Sequence, residues 1–469
     1  MRSEDLAYFE EEEFLECLAK YEKAIQDGLQ PYMDADELTD IAEYYMIKNR
    51  EQDANKCILL AKSLHPEAID PQVFIARQHL FHGNIEEAKR IAKSITEQGD
   101  REVVFLWAEI ALKEGLREKG EAILLDELDR MEEEQDFFIY DCAGVFMDYE
   151  EWKLALKWAQ RLQTEYPKFD KTNQMLADIY VSCGKVDDAI PILQGILDKD
   201  PFRKEAWELM AEAQSGMEQY NEALESIDYL LAIDEKSAQG RVIRANCLFH
   251  LNRSEEAHQQ YLDYLEDVPF DGGIRFYDAV VLSSLERLEE SHKQACMAIE
   301  YLDHSTNEYY QSLMLIANIL SRQKKSNEAI AYVDRAYSES GREKDAEYHF
   351  MLGHIYLENK FYLRADKSFD KSESMAEDAL SMRLMRAIEL IENEFYMEGA
   401  RIIEELLKSN MEDKEENCYP YLAYANYFLK NSAFKEDMEK AMKYNPKLTI
   451  YLFAPIFPNV HTSQFDQLQ

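Results

Sequence analysis

Glycine and proline are scarce, 15 and 11 of 469 residues, too few for a chain built on tight β-turns or for a low-complexity linker. Positive charge is short as well. Against 93 Asp and Glu stand 52 Lys and Arg, giving a formal charge of −41. Such a chain repels phosphate backbones and anionic lipid, which points away from nucleic acid and membrane surfaces and leaves proteins with basic segments as partners. No 18 apolar residues run together, so no stretch reads as membrane-spanning. The opening MRSEDLAYFEEEEFLECLAKYEKA places charges where a secretion signal needs an apolar core. The seven cysteines, Cys17, Cys57, Cys142, Cys183, Cys247, Cys296 and Cys418, form no C-x-x-C pair. They read as buried thiols of a reducing compartment, and the expected location is cytoplasmic.

What is plentiful is core-forming material. Hydrophobic residues make up 46% of the chain, with 29 Tyr and 22 Phe, too many for a disordered acidic polymer. The length exceeds one ordinary core, so the alternatives are several domains or one array in which each unit packs on its neighbours. Internal spacing decides for the array. Ala177 stands twelve residues before Ala189, and steps of about 34 residues find Ala42 with Ala54, Ala76 with Ala88, Ala108 with Gly120, Ala143 with Ala155, Ala211 with Ala223 and Ala245 with Ala257. The series continues as Ala279 with Ser291, Ala317 with Ala329 and Gly353 with Ala365, and an eleventh unit, Ile388 with Ala400, keeps half the rule.

Apolar residues around each pair follow helical spacing, as in Met175, Ile179 and Tyr180, then Ile190, Leu193 and Leu197. Two helices cross closely where a small residue on each lets the backbones approach. Turn residues lie between them, as at Cys183-Gly184-Lys185, and Pro66, Pro167, Pro201 and Pro269 fall where the second helix should stop. Pro191 is expected within the first turn of its helix, where backbone N–H groups have no intrahelical partner.

This pattern resembles the tetratricopeptide repeat family in its period, in the small eighth and twentieth residues of each unit, and in the large eleventh residue (Tyr45, Phe146, Tyr180, Tyr356). Most units lack the family's fourth-place Trp, Trp207 being the exception. The resemblance implies an all-α fold, an α-solenoid of about eleven helix-turn-helix repeats wound into a right-handed superhelix. The expected organisation is a capping helix in residues 1–34, marked by Phe14, Leu18, Tyr21 and Ile25; a repeat array over 35–411 with a bend near 269–273; a shortened terminal repeat over 412–450; and an apolar tail over 451–469. Steps of 38 and 36 residues to Ala329 and Ala365 imply insertions near Asp303–Tyr309 and Ser340–Asp345. The tail, YLFAPIFPNV and beyond, either covers the last helix pair or docks on another molecule.

No constellation for chemistry stands out. There is no phosphate-binding glycine loop and no H-E-x-x-H. His79 and His82 have helical spacing but no carboxylate or thiol beside them, and His79 occupies a packing position. His349 and His354 fall on different helix faces. Cys142 sits at a packing place without a visible base. The expectation is therefore a non-enzyme with no cofactor and no metal.

In repeats of this family the second, fifth, ninth, twelfth and thirteenth places face a concave groove. By that rule the first six units place Asp36, Glu43, Asp70, Glu102, Glu109, Asp148, Asp178, Glu205, Glu208 and Glu212 there, opposed by Arg77, Lys113 and Lys171. Glu205, Glu208 and Glu212 share one helix face and suit a Lys or Arg. The next three units put no acid in the groove and offer Val242, Asn246, Phe249, Phe276, Met314 and Asn318, residues suited to an apolar peptide anchor. Some co-chaperone relatives grip a terminal carboxylate with Lys and Asn. Here Asn246 and Asn318 lack the Lys neighbours. The resulting expectation is an interaction scaffold or adaptor that binds a partner segment in its groove. The alternatives are self-association through groove or tail, as a homodimer, and a peptide-sensing regulator.

Overall fold

The computed structural model describes residues 8–9, 11–48, 50–408 and 415–457. Among the described residues every regular element is a helix, 26 in all from Glu12–Gln26 to Pro446–Phe453, and none is long and apolar enough to cross a membrane. Twenty-four of them form twelve antiparallel hairpins. The chain is thus an all-α repeat protein. It divides into two compact units, Met1–Asp271 and Gly272–Gln469.

The hairpin of Thr172–Ser182 with Val186–Leu197 shows why the sequence folds this way. Ala177 and Ala189 are both fully buried at the crossing, with Met175, Leu176 and Ile179 on one helix and Leu193, Ile196 and Leu197 on the other filling the flanks. Every small-residue pair from Ala42–Ala54 to Gly353–Ala365 is buried in the same manner. Ser291 replaces an alanine without leaving a polar orphan, because its hydroxyl donates to the Ala279 carbonyl across the crossing at 2.6 Å. At Gly353 a Cβ would stand 2.5 Å from the Phe369 ring. The bulk that other hairpins share between two helices comes there from one side.

The eleventh hairpin corrects the sequence register. Its crossing pair is Ala387 with Gly399, one residue earlier than Ile388 and Ala400. Ala387 is fully buried, and a Cβ on Gly399 would lie 2.8 Å from the Ala387 carbonyl oxygen. The twelve-residue rule therefore holds there in full.

A second periodic feature marks the turns. Gly83, Gly115, Glu150, Gly184, Glu218, Asn252, Glu286, Lys324, Lys360, Glu394 and Lys430 all have φ between 54° and 77°. Each follows the C-cap of a first helix, and the next N–H reaches back five residues, as in Lys185 to the Tyr180 carbonyl at 2.8 Å and Gln219 to Gln214 at 2.9 Å. This left-handed cap closes the orphan carbonyls of the helix end. Eight of the eleven carry a side chain there, which costs each about 1 kcal/mol relative to glycine.

Where the period lengthens to 38 and then 36 residues, between Glu286, Lys324 and Lys360, the extra chain sits in the loops 302–306 and 340–345 and in a 16-residue helix, Asn307–Arg322. Pro191 departs from its expected place. Its helix begins at Val186, which makes Pro191 the sixth residue, and it faces solvent, so the Asp187 carbonyl it leaves unbonded can be hydrated.

At the N-terminal end, helix Glu12–Gln26 lays Phe14, Leu18 and Tyr21 on Leu38, Ile41, Tyr45 and Cys57 of the first hairpin. Each such large side chain contributes about 1.5–3 kcal/mol. Ile25, expected on that face, is 51% exposed. At the other end Phe453, Ile456 and Phe457 pack on Ala423, Met438 and Ala441 of the last hairpin. Residues 458–469 of the expected tail and the 411/412 boundary lie outside the described residues. Within each unit, first helices of successive hairpins touch one another more than second helices do. The face made by the first helices is therefore the inner one.

Candidate functional site

Helix Lys204–Gly216 buries Ala206, Leu209, Met210, Ala211 and Ala213 and turns Glu205, Glu208 and Glu212 to the inner face of the first unit. All three are half-buried. Gln239, on the next first helix Ala238–His250, donates its Nε2 to Glu212 Oε1 at 3.1 Å. From the preceding first helix, Asp178 comes close enough to bear on both Glu208 and Glu212.

Burial, then the charges of Glu212 and Glu205, push the Glu208 carboxyl up to about 7. Glu212 is also raised, by burial first, against the hydrogen bond from Gln239. The cation at the start of the helix, Lys204, reaches Asp234 at 3.6 Å. Glu205, Glu208 and Glu212 thus share one half-buried surface, with Lys204 as the cation that bears on Glu208.

Asp70 is likewise raised, by burial and then by Glu102, Asp100 and Asp36, whereas other acids expected on this face are paired. Arg77 donates Nε to Glu109 Oε2 at 3.1 Å, Nη2 to Glu109 Oε1 at 2.8 Å and Nη1 to Glu102 at 3.0 Å. Glu109 is only 7% exposed. This fork joins the second and third hairpins and spends two acids that the sequence places in the groove. Glu43 and Asp148 also have partners within the chain.

The neutral residues fall into two sets. Val242, Asn246 and Phe249 belong to the first unit and are half-buried, and Asn246 accepts a hydrogen bond from the Tyr261 hydroxyl. Phe276, Met314 and Asn318 belong to the second unit. Phe276 is 7% exposed, and Met314 packs against Tyr309, Leu313 and Ile316. Much of the apolar surface expected to anchor a peptide is covered by the chain itself.

Sequence reasoning missed a neighbouring group. Phe137 is 52% exposed, meets Phe169 edge-on at 5.2 Å, and Phe169 lies 5.5 Å from Tyr140. The Lys171 ammonium stands 5.7 Å over the Tyr140 ring. Phe137, Phe169 and Lys171 help line a cavity of about 500 Å³. One turn beyond Lys171 lies Gln174, 5% exposed, whose Oε1 and Nε2 are both buried without a hydrogen-bond partner. The signal for it was present in principle, since Gln174 holds the fifth place 34 residues before Glu208.

Among the described residues no three His, Cys, Asp or Glu side chains converge as metal ligands. His82 lies 3.8 Å from Glu51, and burial drives the Cys142 thiol well above its ordinary range.

Two tetratricopeptide-repeat family models match the chain, one over residues 146–213 and one over 209–272. No curated protein sequence matches it. Solved structures similar to it include the APC/C hetero-tetramer Cut9–Hcn1, at 12% identity over 83% of this chain and 76% of that one, with a TM-score of 0.41. A tetratricopeptide repeat protein from Parabacteroides merdae is 17% identical over 53% of this chain and 96% of its own, with a TM-score of 0.39. YrrB, described as having an unusual peptide-binding site, is 16% identical over 40% and 96%, with a TM-score of 0.34.

Proposed function

We propose that this chain, a member of the tetratricopeptide-repeat family, is a non-enzymatic scaffold that holds a basic segment of a partner protein against the inner face of its first unit. The observation that carries this reading is the set of three half-buried acids, Glu205, Glu208 and Glu212, on one face of helix Lys204–Gly216, where burial, then Glu212 and Glu205, push the Glu208 carboxyl up to about 7. A half-buried acid in that state is short of positive charge, and an ammonium or guanidinium group supplies it. Binding requires the ionised carboxylate, so the segment releases a proton on docking near neutral pH. Its affinity falls as pH drops below about 7.

Capture from native lysate by the wild type and by a Glu205→Lys, Glu208→Lys, Glu212→Lys variant tests the reading. Partners bound through basic segments should be recovered by the first and lost by the second. Identical sets of partners would sink it.

A further inference from the structure

The acidic surface and the aromatic cavity belong to consecutive hairpins of the first unit. Phe137, Tyr140 and Phe169 lead to Lys171, and Lys171, Gln174 and Asp178 occupy one side of helix Thr172–Ser182 at i, i+3 and i+7. Asp178 in turn faces Glu208 and Glu212. Gln174 lies between the two sites, with both amide atoms buried and unpaired. Burying a polar group in that state is costly, and native proteins rarely leave one without a reason.

We propose that this surface is a two-point reader of an extended partner segment. A bulky apolar side chain enters the cavity beside the Phe137–Phe169 ring pair, a Lys or Arg of the same segment meets Glu205, Glu208 and Glu212, and the Gln174 carboxamide pairs with the segment's backbone between them. This inference rests on the scaffold reading above and adds to it the chemistry and spacing of what is bound. The cavity, about 500 Å³ and open to solvent, has Phe137, Tyr166, Pro167 and Phe169 in its walls and charged residues, Lys168 and Lys171 among them, around these. The Gln174 amide gives up no hydrogen bond when it turns outward to a peptide group, so a carboxamide of two donors and two lone pairs is already prepared for the exchange.

Neighbouring helices pack 8–10 Å apart, which puts the cavity and the acids roughly 15 Å from each other. An extended chain crosses that distance in about four or five residues.

Panning a random twelve-residue peptide library on the full chain tests this. The expected consensus has a Trp, Phe or Leu about four or five positions from a Lys or Arg. A synthetic peptide of that consensus should lose about tenfold in affinity on Phe137→Ser and on Glu205→Lys, Glu208→Lys alike. Gln174→Leu should weaken it about fivefold while raising the melting midpoint of the free chain by about 2–4 °C, because the buried amide is removed. A merely structural glutamine would not move the two readouts in opposite directions. Selected peptides that are basic but indifferent to Phe137→Ser overturn the two-point reader and leave the scaffold reading standing. Peptides indifferent to the glutamate variant overturn both, as does a selection that enriches nothing.

Discussion

Glu208→Gln isolates the electrostatic state of the acidic face without changing its shape. In the folded chain the carboxyl has been carried from its ordinary 4.5 to about 7, whereas in the unfolded chain it titrates near its ordinary value. Between those two pH values the native state binds a proton that the unfolded state does not, so stability falls as pH rises through the window and stays low above it. At about 1.4 kcal/mol per pH unit the loss is at most about 3.5 kcal/mol. Glu208 is half-buried rather than enclosed, and solvent screening reduces this to about 1–2 kcal/mol. The neutral amide removes the proton uptake at this position. Glu208→Gln should therefore match the wild type near pH 4.5 and exceed it at pH 8, where the advantage appears as a rise of about 2–6 °C in melting midpoint.

Because repeats open locally, amide hydrogen exchange within Lys204–Gly216 is the sharper assay. Protection there should fall less with rising pH in the variant than in the wild type, since only Glu212 of the two raised carboxyls remains. A variant less protected than the wild type at pH 8 would refute the reasoning, because it would mean that the ionised carboxylate is already satisfied inside the chain.

At the turns, Glu218→Gly and Lys360→Gly should each stabilise by about 0.5–1 kcal/mol in chemical denaturation, and Asn252→Gly by less, since Asn tolerates the left-handed region. Gly399→Ala should cost about 1–3 kcal/mol, because its Cβ would stand 2.8 Å from the Ala387 carbonyl. Gly195→Ala, with nothing within 4 Å of the added carbon, should gain up to about 1 kcal/mol; equal effects at the two glycines would contradict the crossing geometry. Arg77→Met should cost about 2 kcal/mol by leaving Glu109 buried and unpaired, less than for an enclosed pair because Arg77 is 36% exposed. Adding Glu109→Gln should restore most of it, as urea midpoints would show.

The crossing of helices was legible because it demands a small residue on each partner, and Ala, Gly and Ser at twelve-residue spacing are visible to inspection. The same rule was misread in the eleventh hairpin because Gly399 and Ala400 are both small; only the approach of the Ala387 carbonyl decides which one lies at the contact. The left-handed caps were harder to see. Eight of the eleven hold Glu, Asn or Lys, residues that announce no such conformation, and the neighbouring hydrogen bonds enforce it. The candidate site divides along similar lines. Glu205, Glu208 and Glu212 could be found as charges of one sign on one face, whereas Gln174 carries no charge and Phe137 resembles any core aromatic until its exposure is known.

Repeat-spaced ion pairs explain why one acidic patch differs from the others in so anionic a chain. Arg77 reaches Glu109, Arg117 reaches Glu151, Lys157 reaches Glu121 and Arg322 reaches Glu286, in each case from one hairpin to the next. Such pairs use acids to fasten neighbours, and a carboxylate so used has little left for a ligand. Within the first unit Glu205, Glu208 and Glu212 are gathered on one helix face instead. Burial first, and then the charges of Glu212 and Glu205, hold the Glu208 carboxyl up to about 7. Charges of one sign gathered on a half-buried surface weaken the free chain, and a cation brought by a partner relieves them. An added positive charge therefore has a large effect where Glu205, Glu208 and Glu212 stand together.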